Sequence, residues 1–221
     1  MEVLKVTPGA RRSLRETLRW STRDSHAALD ALFVRVVDPR ETALYDAFVR
    51  MNHACHAQIE PILEASPLAA VVALDPASSR LAALRRDMDR LALAPLELPP
   101  FALQAPSLAQ AAGVVYVIEG SRLGATVISR RLEAAARAGE GERSRDYLTD
   151  SAEPKAFAVL MDGLAALDWT EDDLNDAAQA AAATFDQFAL AARLAGVESA
   201  LAPRAPANPL ASAAEPSGTR A

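Results

Sequence analysis

An all-α fold, built as a single-domain helical bundle, is predicted by three features of this 221-residue chain. Alanine and leucine dominate, glycine is scarce at 9 residues and aromatic residues make up only 5%, a composition that favours helices over strands. Apolar residues recur at the three- and four-residue spacing of one helix face, and no stretch alternates convincingly between apolar and polar. Capping residues precede several of the periodic segments, and glycine or proline follows them.

The first helix is expected from about Ser13 to Val37. Ser13 and Glu16 have the spacing of a capping box, and Leu14, Leu18, Leu29, Phe33 and Val36 keep helical register until Pro39. A second helix begins near Glu41 and carries Leu44, Phe48, Met51 and Ile59, with Pro61 as a kink or bend. Residues 66–81 are weaker, broken by Pro67 and Pro76, and a third helix follows from about Ser78 to Leu91. Four prolines between Ala94 and Pro106 mark a connecting loop. A long apolar helix runs from Ser107 to about Ala138, closed by Gly139 and Gly141. Pro154 opens another, to Leu167. The last starts at Thr170, with Asp173 three residues on, and reaches Leu194 before Gly196. Residues 1–196 are expected to form one domain. Residues 197–221, rich in Ala, Pro and Ser, read as a disordered tail.

A hydrophobic fraction of 51% supplies a full core, and a net charge of −6 argues against nucleic acid or an anionic membrane as a partner of the whole chain. Local basic clusters can still take a small anion. Cys55 is the lone cysteine, so no intramolecular disulfide forms. The first ten residues lack an apolar signal core, and no apolar run was expected to reach the roughly 20 residues of a membrane span. A cytoplasmic location is the expectation.

His26 lies at the edge of the apolar face of the first helix, near Leu29 and Phe33. Asp30 is one turn on and can bond one ring nitrogen, leaving the other as a lone-pair donor, as a metal-bound histidine requires. Arg19 projects to nearly the same side about 10 Å away along the axis. Arg23 is nearer but rotated. Such guanidinium forks suit carboxylates. The bland alternative is an ordinary surface His–Asp pair beside a solvated arginine face.

The run Tyr116-Val117-Ile118-Glu119-Gly120-Ser121-Arg122-Leu123-Gly124-Ala125 puts glycines inside a helix, where each costs up to about 1 kcal/mol relative to alanine. Gly120 and Gly124 share a face with Ala125 beside it. Either a helix crosses closely at these small residues, or a flat ligand lies against bare backbone; the glycines also make a bend easy. His53 and His56 read as packing or surface residues, and no carboxylate completes an evident metal set with them. Tyr45, Tyr116, Trp20 and Trp169 read as core or packing residues.

Together, the run Thr22-Arg23-Asp24-Ser25-His26-Ala27-Ala28-Leu29-Asp30 and the glycine run resemble the haem oxygenase family, especially its bacterial branch. The similarity extends from about Arg11 to Leu194, and residues 182–188 look like the family's final helix. This resemblance implies haem held between the first helix and a kinked, glycine-bearing distal helix, serving as both substrate and cofactor. By it, His26 matches the axial iron ligand, and Asp30 the acid that steadies it. Gly120, Ser121 and Gly124 match positions at the oxygen-binding face. Arg19 matches a propionate-facing cation, with Arg23 near it on the same helix, Lys155 a second cation, and Phe188 the distal wall. Ser121 stands where some members carry aspartate, and Ala125 where a glycine often follows.

The implied reaction is oxidative opening of haem to biliverdin, carbon monoxide and iron, with O2 and electrons from a ferredoxin or flavoprotein reductase. A bilin-using photoreceptor is one downstream consumer. The rival readings are a non-catalytic haem or bilin-binding protein on the same fold, and a cofactor-free helical interaction protein.

Overall fold

In the computed structural model, residues 12–38, 40–72, 79–138, 143–151 and 154–197 are described; among them are eight α-helices and no strand. They are α1 Leu14–Phe33, α2 Thr42–Glu64, α3 Leu68–Val71, α4 Leu81–Arg90, α5 Leu108–Arg137, α6 Asp146–Asp150, α7 Pro154–Ala165 and α8 Glu171–Leu194.

Three helix starts follow from local chemistry. Ser13, Ser107 and Thr170 each accept a backbone N–H three residues on, and Glu16, Gln110 and Asp173 bond back to the cap residue. α2 continues through Pro61, which costs that helix one backbone donor without ending it. Gly196 follows α8 at φ +84, in the left-handed region that glycine tolerates. Gly139 and Gly141 lie outside the described residues. So does the expected tail from residue 198, whereas Val197 belongs to the core at 1% exposure.

α6 was not expected from sequence. The buried Asp87 carboxylate of α4 organises its start, accepting the Ser144 hydroxyl at 2.5 Å and the backbone N–H groups of Asp146 and Tyr147 at 2.9 Å each. Arg86 and Arg90, also on α4, pair with Asp146 from outside.

α8 is the hub of the bundle: it packs along α5 on one side and α1 on another, and also meets α2. α7 touches both α1 and α5, while α1 and α5 make little direct contact with each other. α5 is long and apolar enough to cross a bilayer, which the sequence reading had not credited to it. Half of its apolar window is buried against neighbouring helices, as in a core helix.

Gly113 shows how tightly α5 and α8 cross. A Cβ built there would stand 2.0 Å from the Ala177 carbonyl oxygen and 2.8 Å from its carbon. That separation admits no side chain, so glycine is required by close approach of two backbones.

Candidate functional site

His26 stands on α1 with its side chain 57% exposed. Its Nδ1 lies 3.0 Å from the Asp30 carboxylate, as the one-turn spacing predicted. A ring held this way donates through Nδ1 and presents the Nε2 lone pair outward. Phe185 of α8 meets the imidazole edge-on, centroids 5.9 Å apart. The Phe185 ring therefore backs the histidine from the hub helix. Phe188, expected at the distal wall, lies against His56, centroids 6.3 Å apart.

On α5, a strip of apolar residues turns outward. Leu123 is 47% and Val127 52% exposed, with Gly124 between them, and a Cβ at Gly124 would meet nothing within 4 Å. A Cβ at Gly120 would meet only the Phe157 ring, at 3.7 Å. The tight crossing considered for these glycines thus belongs to Gly113, and Gly124 fronts open space. Arg19 and Lys155 are exposed, and Arg23 is exposed with Asp24 at 3.1 Å.

A solved structure with this arrangement of helices is a haem oxygenase from Neisseria meningitidis, determined with NO and CO bound. It superposes with a TM-score of 0.67 at 21% identity, over 84% of this chain and 92% of that one. The fold is the haem oxygenase fold. No family model matches the chain, and no curated protein matches it.

Behind the glycine strip of this haem oxygenase fold lies a buried polar network that the sequence reading missed. Arg80, just before α4, is 1% exposed. It donates from Nη1 to the Ser121 hydroxyl at 2.9 Å and from Nη2 to the Ile118 carbonyl at 2.7 Å. Its backbone N–H donates to Glu60 at 3.1 Å, and the Ser79 hydroxyl donates to the other Glu60 oxygen at 2.5 Å. Glu60 also lies 2.7 Å from His56 Nδ1. Ser121 in turn donates to the Ile118 carbonyl at 2.7 Å, and Tyr147 donates to Asn52 at 2.9 Å. Glu119 joins Arg122 and sits 3.5 Å from Arg80. Among the described residues, two buried atoms here lack a partner, His56 Nε2 and Arg80 Nε. Buried polar atoms left this way mark places where an internal water fits.

Burial, followed by the nearby Arg80 charge, pushes His56 down to about 4. For Glu60, burial opposes the charge, but the His56 bond, the Ser79 hydroxyl and the Arg80 N–H outweigh it and hold the carboxyl low. Both shifts have the same sign for stability. The unfolded chain protonates His56 near pH 6.5 and Glu60 near 4.5, before the folded chain does. The His56 contribution should therefore be full above pH 6.5 and be lost as pH falls to about 4, and the Glu60 contribution should be lost from pH 4.5 down to about 2. In thermal melts, His56→Gln should flatten that slope between pH 6.5 and 5. An unchanged slope would mean that His56 charges freely in the fold.

A concavity of about 730 Å³ lies elsewhere, lined by Arg90, Leu91, Arg143, Ser144, Arg145, Asp146 and Thr149. It contains none of the expected site residues, and its charged walls do not suit a flat apolar ring.

Proposed function

We propose that the chain binds haem between α1 and α5 and cleaves it oxidatively to biliverdin, carbon monoxide and iron. The observations that carry this reading are an oriented, exposed histidine on α1 and a surface of α5 bared at Gly124, with Leu123 and Val127 exposed beside it. The haem oxygenase fold supports it.

The residues present fit the group. His26 offers Nε2 to iron while Asp30 fixes the tautomer and raises the basicity of the ring. Phe185 limits rotation of the imidazole. The exposed apolar strip on α5 would pack against the ring, and Gly124 would leave room beside it. Arg19 and Arg23 would hold the propionates, with Lys155 as a further cation. When bound, haem supplies the iron that takes up O2 and the ring that is cut.

Ser121 serves beside that strip through its hydroxyl, which Arg80 and the Ile118 carbonyl hold in place. Because Arg80 is itself bound to Glu60 through its backbone, α2 fixes the register of this part of α5. Phe188 acts behind the wall, supporting His56.

The space at Gly124 gives a direct test. Gly124→Phe should leave the melting temperature within about 2 °C, because the side chain enters solvent rather than core, a change of less than 1 kcal/mol. The same variant should bind hemin at least about tenfold more weakly, a loss of ~1.4 kcal/mol. Unaltered hemin affinity would remove α5 from the binding face. A carrier on the same fold would bind hemin equally well but return it intact in the presence of a reductant.

A further inference from the structure

The concavity of about 730 Å³ that haem binding leaves unused is walled by arginine. Arg90 comes from the last turn of α4, and Arg143 and Arg145 from the segment that leads into α6. The volume is within the range of small-molecule sites. Three arginines line it against a single acid, Asp146, in a chain of net charge −6.

The acids around this concavity are already engaged. Asp146 gives one carboxylate oxygen to Arg86 and the other to Arg90, at 2.6 Å each. Asp46 takes Arg143. Asp87 is buried and holds the Ser144 hydroxyl and two backbone N–H groups. The cations are less fully used. Arg145 is half-buried, and its side chain forms no hydrogen bond or ion pair among the described residues. Arg143 commits Nη2 to Asp46 and lays its guanidinium over the Tyr45 ring at 5.5 Å, yet its buried Nε has no partner. Donors taken from water without an acceptor cost free energy, which a bound anion would offset.

The wall is also rigid. Ser144 stands between Arg143 and Arg145 and is pinned from two sides. Its hydroxyl donates to Asp87 at 2.5 Å, and its carbonyl accepts the Tyr45 hydroxyl at 2.8 Å. Tyr45 is core at 2% exposure (Trp20, also expected to pack, is 65% exposed). Both arginines therefore rise from a fixed backbone. Their arrangement selects among anions. A carboxylate presents two oxygens in one plane, and a single guanidinium fork satisfies both. Guanidinium groups brought together from α4 and from the 143–145 segment suit a tetrahedral group with oxygens in several directions.

We propose that Arg90, Arg143 and Arg145 form a binding site for a small molecule carrying one or more phosphate groups, independent of the haem reading.

Inorganic diphosphate is the probe, titrated calorimetrically into the full chain at low salt. One equivalent should bind, and Arg145→Gln should bind it at least about tenfold more weakly. Without diphosphate that variant should melt as wild type does, because the bonds that start α6 use Asp87 and not the Arg145 side chain. Arg130→Gln, exposed on the far part of α5, is the charge-matched control and should keep wild-type affinity. One equivalent of hemin should leave diphosphate binding unchanged, and citrate should bind at least about tenfold more weakly than diphosphate. Equal losses in Arg145→Gln and Arg130→Gln would reduce the effect to general charge attraction and overturn the site. Citrate binding as tightly as diphosphate would overturn the phosphate assignment, and displacement by hemin would move the anion to Arg19 and Arg23. No binding of diphosphate to the wild-type chain would overturn the proposal outright.

Discussion

Gly113→Ala should destabilise the protein by about 3 kcal/mol, the upper end of overpacking costs in a well-packed core. In an exposed helix the same change would add up to about 1 kcal/mol of stability through helix propensity. Here the added methyl meets the Ala177 carbonyl oxygen at 2.0 Å, and that atom is backbone, not the movable end of a side chain. Relief requires α5 and α8 to separate, which opens the most extensive packing in the bundle. The clash therefore outweighs propensity. Thermal unfolding should shift downward by roughly 6–12 °C for a chain of this size. A melting temperature at or above wild type would show that the two backbones are not in contact there. Gly124→Ala supplies the internal contrast, since its methyl enters open space.

His26→Ala should abolish haem conversion while leaving the fold intact. The side chain is exposed and its bonded partner, Asp30, is also exposed, so no buried group loses a partner. Asp30→Asn should do less. It keeps an acceptor for the Nδ1 proton but removes the charge, and losing such a supporting group typically costs about 10–100-fold in metal affinity or activity. Hemin absorption spectra and bilin formation measure both. A His26→Ala protein with the wild-type iron spectrum and undiminished conversion would move the axial ligand elsewhere.

What the sequence disclosed and what it hid divide by distance along the chain. Ser13 with Glu16 and Thr170 with Asp173 announced two helix starts, because a capping box is complete within four residues. His26 with Asp30 was equally legible, one helical turn apart. α6 was not legible, because Asp87 organises it from 57 to 60 residues away. The network of Glu60, Arg80 and Ser121 was hidden for the same reason. Arg80 looked like any surface arginine, and only the fold makes it one of the most buried side chains.

The glycines show the limit most clearly. Spacing treated Gly120 and Gly124 as one stripe with two possible uses. Which glycine meets a backbone and which meets space depends on where α8 crosses, and nothing within α5 specifies that. Phe185 and Phe188 likewise stand three residues apart on α8. Their separate duties, at His26 and at His56, come from which helix each one faces.

Mixing the purified chain with one equivalent of hemin, recording the absorption spectrum, and then adding ascorbate in air tests the central claim most directly. A Soret band of histidine-ligated haem, absent in His26→Ala, should appear and decay into the broad red absorbance of biliverdin. A Soret band that persists unchanged under reductant would contradict the enzymatic reading, and no Soret band at all would contradict haem binding between α1 and α5.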